Sequence, residues 1–511
     1  MDVISVLEQA AEEYGQKSAI IFREENISFL QLKGKIFSFS QSLLKLGVKR
    51  GDKVAIYLPN WPEYIYSYLA IWSVGACSVP LDFMFTEDEL VTCLNHSEAK
   101  LLITKHKANI SFASLKHKVN SLENIISCQA QEDDSVLSFE ELLTRGKNEA
   151  PKVIVEDKDY AIIFYTSGTT GKPKGVLINY AQLDAPPKSM AFFVNADIRA
   201  KDTTLCALPF SHLGGLVYIQ STMTFGLTLI LMERFIPLDF LKNVQNHKVN
   251  FFWIVPSMYY ALLQLKEFET FDLSSLRWIV TFGASNSPDA LRRFHQFCPQ
   301  AFLLNGWGLT ETNAPTVVLP MGSKNIESVG RPAPWIKVKI FSAEGEPACG
   351  GDDSKCELPV GSTGEVVVKS WVVTDGYFKN EKLTRETISN GWFHTGDLGK
   401  IDAEGFLYIV GRKKEMIKVS GEIVFEPEVE SVLQRHPDIA EAAVIGIADK
   451  LRGEVPKAFL VLQQGKTISE DDLRYFLRLH LAHYKIPHYF EFCTTLPKNR
   501  TGKIDKELLR K

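Results

Sequence analysis

Ten consecutive residues, Thr166 to Gly175, read T-S-G-T-T-G-K-P-K-G, and they follow the apolar run Ala161 to Tyr165. They bring three glycines, four hydroxyl side chains and two lysines together, a composition suited to holding phosphate. Glycines let backbone N–H groups approach an anion, hydroxyls donate further hydrogen bonds, and Lys172 and Lys174 add positive charge. A glycine-rich surface loop is the plain alternative, since such stretches are common chain punctuation. The spacing excludes a Walker A loop, because Gly168 is followed by Gly171 and no Gly-Lys-Ser/Thr comes four residues later. Elsewhere Glu311 follows Thr310, Asp397 follows Gly396, and Lys503 follows Gly502 in a basic tail. Read singly, these are a surface carboxylate, a turn-forming Asp and a solvated lysine. Their chemistry allows more: one carboxylate can accept hydrogen bonds from two neighbouring hydroxyls, and a long flexible cation can reach a distant anion.

The decapeptide resembles, nearly letter for letter, the phosphate loop of the adenylate-forming superfamily, which includes acyl-CoA synthetases, aryl-CoA ligases, peptide-synthetase adenylation domains and beetle luciferases. The resemblance continues in the family's order over nearly the whole chain. Asn305 to Thr312 (NGWGLTET) is similar to the aromatic-Gly-x-Thr-Glu segment and Gly391 to Gly399 (GWFHTGDLG) to the Thr-Gly-Asp segment. Gly411 to Glu430 (GRKKEMIKVSGEIVFEPEVE) is similar to the hinge segment, and Leu496 to Asp505 (LPKNRTGKID) to the C-terminal lysine loop.

The resemblance implies activation of a carboxylate by ATP in an AMP-forming acid–thiol ligase, with Mg2+ and coenzyme A as cofactors. Oxide is a poor leaving group, and conversion to an acyl-adenylate supplies AMP as a good one. The nucleophile is already ionised, so positioning and charge neutralisation carry the reaction. By resemblance, Thr166, Ser167, Gly168, Thr169, Thr170, Gly171 and Lys174 grip the pyrophosphate. Glu311 is the implied magnesium ligand, with Thr310 at the α-phosphate, which suits an ion that prefers carboxylate and phosphate oxygens. Asp397 is implied at the ribose hydroxyls, and Arg412 as a second contact to the ribose or phosphate. Asn305, Trp307, Gly308, Gly283 and Ala284 are implied around the nucleotide. Trp307 stands where relatives usually have Tyr, which keeps a flat stacking face but removes the hydroxyl. Lys503 is the implied catalytic lysine, bridging the substrate carboxylate and the α-phosphate. Lys414 falls at the hinge about which the small domain rotates between half-reactions, and Gly421 where a pantetheine tunnel needs no side chain. One departure is the proline of the hinge segment: Pro427 lies one position late, and Glu426 takes the usual place.

Leu208 to Leu216 (LPFSHLGGL) is similar to the segment before the acyl pocket, with His212 at the family's histidine. Peptide-synthetase domains carry an Asp in this region for the substrate's amino group, and none is found here, which disfavours an amino acid. The apolar stretch from His212 to Thr222 and nearby Phe282 suit a fatty acid first and an aryl acid second, or plain core packing. Gly376 runs compactly to Gly391, without the extra segment of carrier-loading acyl-AMP ligases, so CoA is expected as acceptor. A carrier-protein phosphopantetheine is the alternative acceptor. A non-catalytic acyl-nucleotide sensor is the remaining alternative, disfavoured because Glu311, Asp397, Arg412 and Lys503 are all present.

The elements that must position these residues read as α/β. At 511 residues the chain exceeds what one core organises. We expect a large adenylation domain over residues 1–412, built of two α/β subdomains and a β-rich subdomain at about 331–410, and a small mobile α+β domain over 413–511. Val54 to Leu58, Leu227 to Met232, Phe251 to Val255, Trp278 to Phe282 and Ala301 to Leu304 read as buried strands, and Pro62 to Val74 as a helix stopped at Gly75. Ile336 to Phe341 and Gly364 to Lys369 alternate as strands of the β-rich part. Beyond Arg412, helices are expected at about Glu426 to Gln434 and Glu470 to His480, with strands at Ala442 to Ile447 and Ala458 to Leu462.

Composition is that of an ordinary globular protein, with 45% hydrophobic and 23% charged residues. A net charge of −4 with dispersed basic residues gives no nucleic-acid footprint. The eight cysteines form no C-x-x-C pair and read as scattered thiols in a cytoplasmic protein, although Cys349 and Cys356 flank a short polar loop and can pair if oxidised. No signal peptide and no apolar run of about 18 residues is seen, so no transmembrane segment is expected, while a peripheral membrane contact is left open.

Overall fold

The computed structural model describes residues 2–129, 136–166, 174–283, 288–313, 315–342, 356–420, 422–498 and 504–510. The fold is α/β, with a large N-terminal part holding two many-stranded sheets and a β-rich sheet, and a small C-terminal part around a sheet of its own.

In the seven-stranded sheet, Val136–Ser138, Asn124–Ser127, Leu101–Thr104, Lys53–Tyr57, Cys77–Pro80 and Tyr160–Thr166 run parallel, and Lys174–Asn179 closes the edge as an antiparallel hairpin. Both hairpin strands are apolar and buried at their centres, Ala161 to Tyr165 against Gly175 to Ile178. In the nine-stranded sheet, Phe302–Trp307, Trp278–Thr281, Phe251–Ile254, Thr203–Cys206, Thr228–Leu231 and Ser18–Phe22 are parallel neighbours. These strands are short, four to six residues, and buried on both faces, the pattern of a helix-covered parallel sheet.

One helix fastens the two sheets together. Pro62–Ser73 starts on a proline in its first turn and is buried all round, from Pro62 and Tyr64 to Ser73. Its Trp72 indole donates to the Ala161 carbonyl at 3.0 Å in the first sheet, and its Tyr68 hydroxyl donates to the Phe210 carbonyl at 2.9 Å beyond a strand of the second. Asn60, just before it, donates to the Leu208 carbonyl at 2.7 Å and accepts from the Phe210 N–H at 2.9 Å. A buried helix that is hydrogen-bonded to both sheets through Trp72, Tyr68 and the preceding Asn60 thus sets the hairpin and the Leu208–Leu216 segment relative to each other.

The β-rich sheet joins Lys337–Phe341, Gly364–Lys369, Trp392–Ile401 and Ile388–Ser389, with Leu407–Arg412 paired to the long strand. In the C-terminal sheet the order is Glu422–Phe425, Met416–Val419, Gly453–Leu462 and Ile439–Asp449, with Tyr489–Phe492 on Gly453–Leu462. Helices Glu426–Leu433 and Glu470–Arg478 cover it, and Ile417, Val424, Val429, Leu433, Leu460, Leu473 and Leu477 form its core.

Among the described residues, no helix is long and apolar enough to cross a membrane. Six cysteines are free, as expected. Cys356 is disulfide-bonded, against the expectation of scattered thiols. Cys349, the cysteine that completes the eight, lies outside the described residues.

Candidate active site

The parallel strands of the nine-stranded sheet deliver the predicted residues to one edge. Because they run the same way, the chain leaves Thr203–Cys206 toward His212, Trp278–Thr281 toward Gly283, and Phe302–Trp307 toward Thr310 and Glu311, all at carboxyl ends. That edge is where open α/β sheets hold ligands. Gly283 sits at φ +92°, a turn that favours glycine, and Ala284 lies outside the described residues.

Asp397 is the best-defined centre. Trp392–Ile401 pairs antiparallel with Leu407–Arg412, and the register sets Asp397 opposite Arg412. Arg412 Nε lies 2.8 Å from Asp397 Oδ1, and Trp307 Nε1 donates to Oδ2 at 2.8 Å. The Asp397 N–H donates to Thr395 Oγ1 at 3.0 Å, and the carboxylate is buried. An aromatic face, a buried carboxylate and a cation are thereby assembled, which suits a nucleoside with vicinal hydroxyls. The indole differs from the sequence expectation: removing the Tyr hydroxyl does not leave position 307 without polar chemistry, because the Trp N–H takes up a carboxylate oxygen.

The segment bearing Asp397 is braced from below by Glu365, which sequence reasoning missed. Burial raises its carboxyl pKa, but His394 at 3.3 Å, Lys413 at 3.5 Å and the Gly396 N–H at 3.1 Å outweigh that and hold it below its ordinary value.

Glu311 stands in the short 3-10 turn Thr310–Thr312 and accepts from the Tyr377 hydroxyl at 2.9 Å. The Thr374 N–H donates to the Glu311 carbonyl at 2.7 Å, the Phe378 N–H to the Gly175 carbonyl at 2.7 Å, and Thr374 Oγ1 to the Leu177 carbonyl at 2.6 Å. The segment 374–378 therefore ties Glu311 to the strand that begins at Lys174. Tyr377 was not singled out from the sequence, where it falls in the compact run from Gly376 to Gly391. Burial and the neighbouring Glu311 raise the Tyr377 pKa, so the phenol stays protonated and donating. Among the described residues there is no cluster of three or more metal-ligating side chains. A lone, oriented carboxylate fits Mg2+, which takes most of its ligands from phosphate and water.

Thr166 and Lys174 pair across the mouth of the hairpin. Ser167, Gly168, Thr169, Thr170 and Gly171 lie outside the described residues, as do Gly421 and Lys503. Asn305 is buried and spends its amide on the Ser328 carbonyl at 3.0 Å, and Gly308 follows Trp307 at the strand end. His212 is the N-cap residue of helix Leu213–Phe225, with Nε2 3.9 Å from Asp82 Oδ2. A Cβ on Gly215 would stand 2.3 Å from the Pro209 carbonyl oxygen, so only glycine lets this helix start so close to its own entry turn.

Lys414 lies in the 3-10 turn Lys413–Glu415 after Arg412, and burial lowers its pKa. The displaced proline is absorbed without distortion: Glu426 opens helix Glu426–Leu433, and Pro427 falls in its first turn, where its missing N–H has no intrahelical partner to lose.

The family described as AMP-binding enzyme matches residues 7–378, and the AMP-binding enzyme C-terminal domain matches residues 428–503. A 2-succinylbenzoate–CoA ligase of Bacillus cereus is 32% identical over 502 residues, 97% of this chain and 95% of that protein. A long-chain-fatty-acid–CoA ligase of Bacillus subtilis is 31% identical over 529 aligned positions, covering 98% and 92%. Among solved structures, an anthranilate CoA ligase in complex with anthranoyl-AMP superimposes with a TM-score of 0.91 at 26% identity, covering 100% of this chain and 96% of that one. The o-succinylbenzoate CoA synthetase of Bacillus subtilis with its acyl-adenylate intermediate gives 0.84 at 29% identity, covering 99% and 98%.

Proposed function

The chain belongs to the AMP-binding enzyme family and is an acid–thiol ligase that uses ATP, Mg2+ and CoA, and from that premise we propose that its acid is apolar and aryl-bearing. An aryl acid is placed ahead of a fatty acid, the reverse of the order expected from the sequence. The aryl substrates in the names of several relatives support this order, and the long-chain ligase among them keeps the fatty acid as second choice. The pairing of Trp307 and Arg412 on the buried Asp397 carries the adenylation part of the reading, and the relatives' names alone carry the order of acids.

In the first half-reaction a carboxylate oxygen of the acid attacks the α-phosphorus, and the bond to pyrophosphate breaks. Asp397 and Arg412 hold the ribose, and Trp307 supplies a flat face for adenine. Thr310 sits at the α-phosphate, while Thr166 through Gly171 with Lys174 grip the departing pyrophosphate. Glu311 would hold Mg2+, whose charge offsets that on the phosphate oxygens. Lys503 bridges the attacking carboxylate and the α-phosphate. In the second half-reaction the CoA thiolate attacks the acyl carbonyl and AMP departs, with Gly421 leaving room for pantetheine and Lys414 at the hinge between the two arrangements. His212 and Phe282 border the acyl group.

ATP–pyrophosphate exchange across a panel of aryl, fatty and amino acids tests the reading, with thioester followed in the presence of CoA. Exchange with an aryl acid and thioester formation with CoA is the expected result. Exchange confined to fatty acids overturns the order of acids, and no exchange with any acid overturns the reading.

A further inference from the structure

Glu426, the residue standing where relatives carry proline, is 1% exposed and sits between two cations. Lys506 Nζ donates to its Oε2 at 2.9 Å and Arg510 Nη2 to its Oε1 at 2.8 Å, and the Gly446 N–H reaches Oε1 at 3.3 Å. Lys506 also contacts Glu430 Oε1 at 2.8 Å, an oxygen that accepts the Val444 N–H at 2.7 Å. Every partner is satisfied, which is what a buried ion network needs to be stable. Burial alone lowers the Lys506 pKa, and Glu430, Glu426 and Glu415 reverse this and hold the ammonium charged.

The network joins two particular pieces of chain. Glu426 and Glu430 lie on the helix that follows the strands after the hinge, whereas Lys506 and Arg510 belong to the last segment, Ile504–Arg510, whose first residue directly follows Lys503. The same segment is fixed from its other side. Ile504 pairs with Lys498, the Asp505 N–H donates to the Pro497 carbonyl at 2.8 Å, and Ile504 and Leu509 pack on Ala443, Ile445, Phe459 and Leu496. Position 503 is thus attached to a base anchored to the sheet by packing and to the post-hinge helix by charge.

We propose that Glu426, with Glu430, is a positioning residue for adenylate formation, seating Ile504–Arg510 so that Lys503 is presented from a rigid base. The inference rests on the reading of Lys503 given above. Removing one partner of a buried ion pair leaves the others unpaired, so the segment loosens while the rest of the sheet core remains. A displacement near 1 Å at a reacting group costs about 10²-fold in rate.

The test compares Glu426→Gln, Arg510→Gln and Lys503→Ala in both half-reactions: ATP–pyrophosphate exchange, and thioester formation from supplied acyl-adenylate and CoA. Glu426→Gln should lower the kcat of exchange by about 10²-fold with KM for ATP within about threefold, and leave thioester formation within about twofold. Arg510→Gln should show the same selectivity with a smaller loss, and it carries the comparison if Glu426→Gln does not fold. Exchange unchanged in both variants, or both half-reactions falling together, overturns the proposal. Lys503→Ala separates the two readings: selective loss of exchange there with none in Glu426→Gln or Arg510→Gln defeats the positioning role alone. Equal loss of both half-reactions in Lys503→Ala defeats the lysine assignment and the positioning role with it.

Discussion

Trp307 and Asp397, 90 residues apart in sequence, are joined by a hydrogen bond of 2.8 Å from the indole N–H to a carboxylate oxygen whose partner oxygen faces Arg412. The bond fixes the plane of the carboxylate that is read as the ribose acceptor. Hydrogen bonds to charged groups contribute about 1.5–3 kcal/mol. Trp307→Phe keeps a flat face and deletes the donor, so KM for ATP in the exchange assay should rise by about tenfold, with kcat little changed. A KM within twofold of the wild-type value would show that Arg412 alone orients Asp397.

Tyr377→Phe tests the brace on Glu311. The phenol donates to the carboxylate at 2.9 Å, and partners of metal ligands typically matter by 10–100-fold. The Mg2+ concentration for half-maximal exchange should rise by about tenfold, while the rate at saturating Mg2+ stays near wild type. Glu311→Gln should lower exchange at every Mg2+ concentration, and chelation of Mg2+ should abolish it in all variants. An unshifted Mg2+ dependence in Tyr377→Phe would assign the tyrosine to packing.

Much of the scaffold was legible because its signals are local. Gly364–Lys369 is the strand expected, and Pro62–Ser73 ends one residue before the expected last residue, Val74. The strands expected at Ala442 to Ile447 and Ala458 to Leu462 extend to Ile439–Asp449 and Gly453–Leu462, since pairing with each other carries them past their apolar centres into residues such as Glu441, Lys457 and Glu454. The pairing of Ser18–Phe22 with Thr228–Leu231 had no local signal, because register across some two hundred residues is decided by tertiary packing. The site divides in the same way. Motif residues Trp307, Asp397 and Arg412 were named from the sequence, whereas Tyr377 and Glu365 were not, and Glu426 was named only as a departure, because all three act through partners that only the fold brings near.

Lys17 supplies a pH-dependent check on the edge of the nine-stranded sheet. Its ammonium donates to the Gly226 carbonyl in a half-buried position, and burial lowers its pKa from the ordinary 10.5 to about 8, with Asp202 opposing. The unfolded chain therefore binds more protons between those two values, so this group's contribution to stability rises with pH through that window and its penalty is complete below it. With exposure screening part of the shift, the effect is about 1–2 kcal/mol. Urea unfolding of wild type and Lys17→Met should show the variant's relative stability falling by this amount between pH 7 and pH 10.5. A constant difference between the two proteins would mean that Lys17 titrates normally.

Gly214 and Phe282 separate pocket wall from core. A Cβ on Gly214 would lie 3.2 Å from a Phe282 ring carbon and 3.3 Å from Leu208 Cδ1, closer than side chains normally approach, so the absent side chain is what admits the ring. Phe282 is only partly buried and directly precedes Gly283 at the carboxyl edge, while the helix behind it is buried from Gly215 to Met223. With the acyl group beside His212 and Phe282, as proposed above, this ring would set how much room it has. Phe282→Ala should favour longer or bulkier acids, and Gly214→Ala, by pressing on the ring, should favour smaller ones. The ratio of kcat/KM between a small and a bulky acid should move in opposite directions in the two variants, by about tenfold each way. Lower thermal stability with an unchanged ratio would make Phe282 a core residue and shift the search for the acid's determinants to the turn around His212 and Asp82.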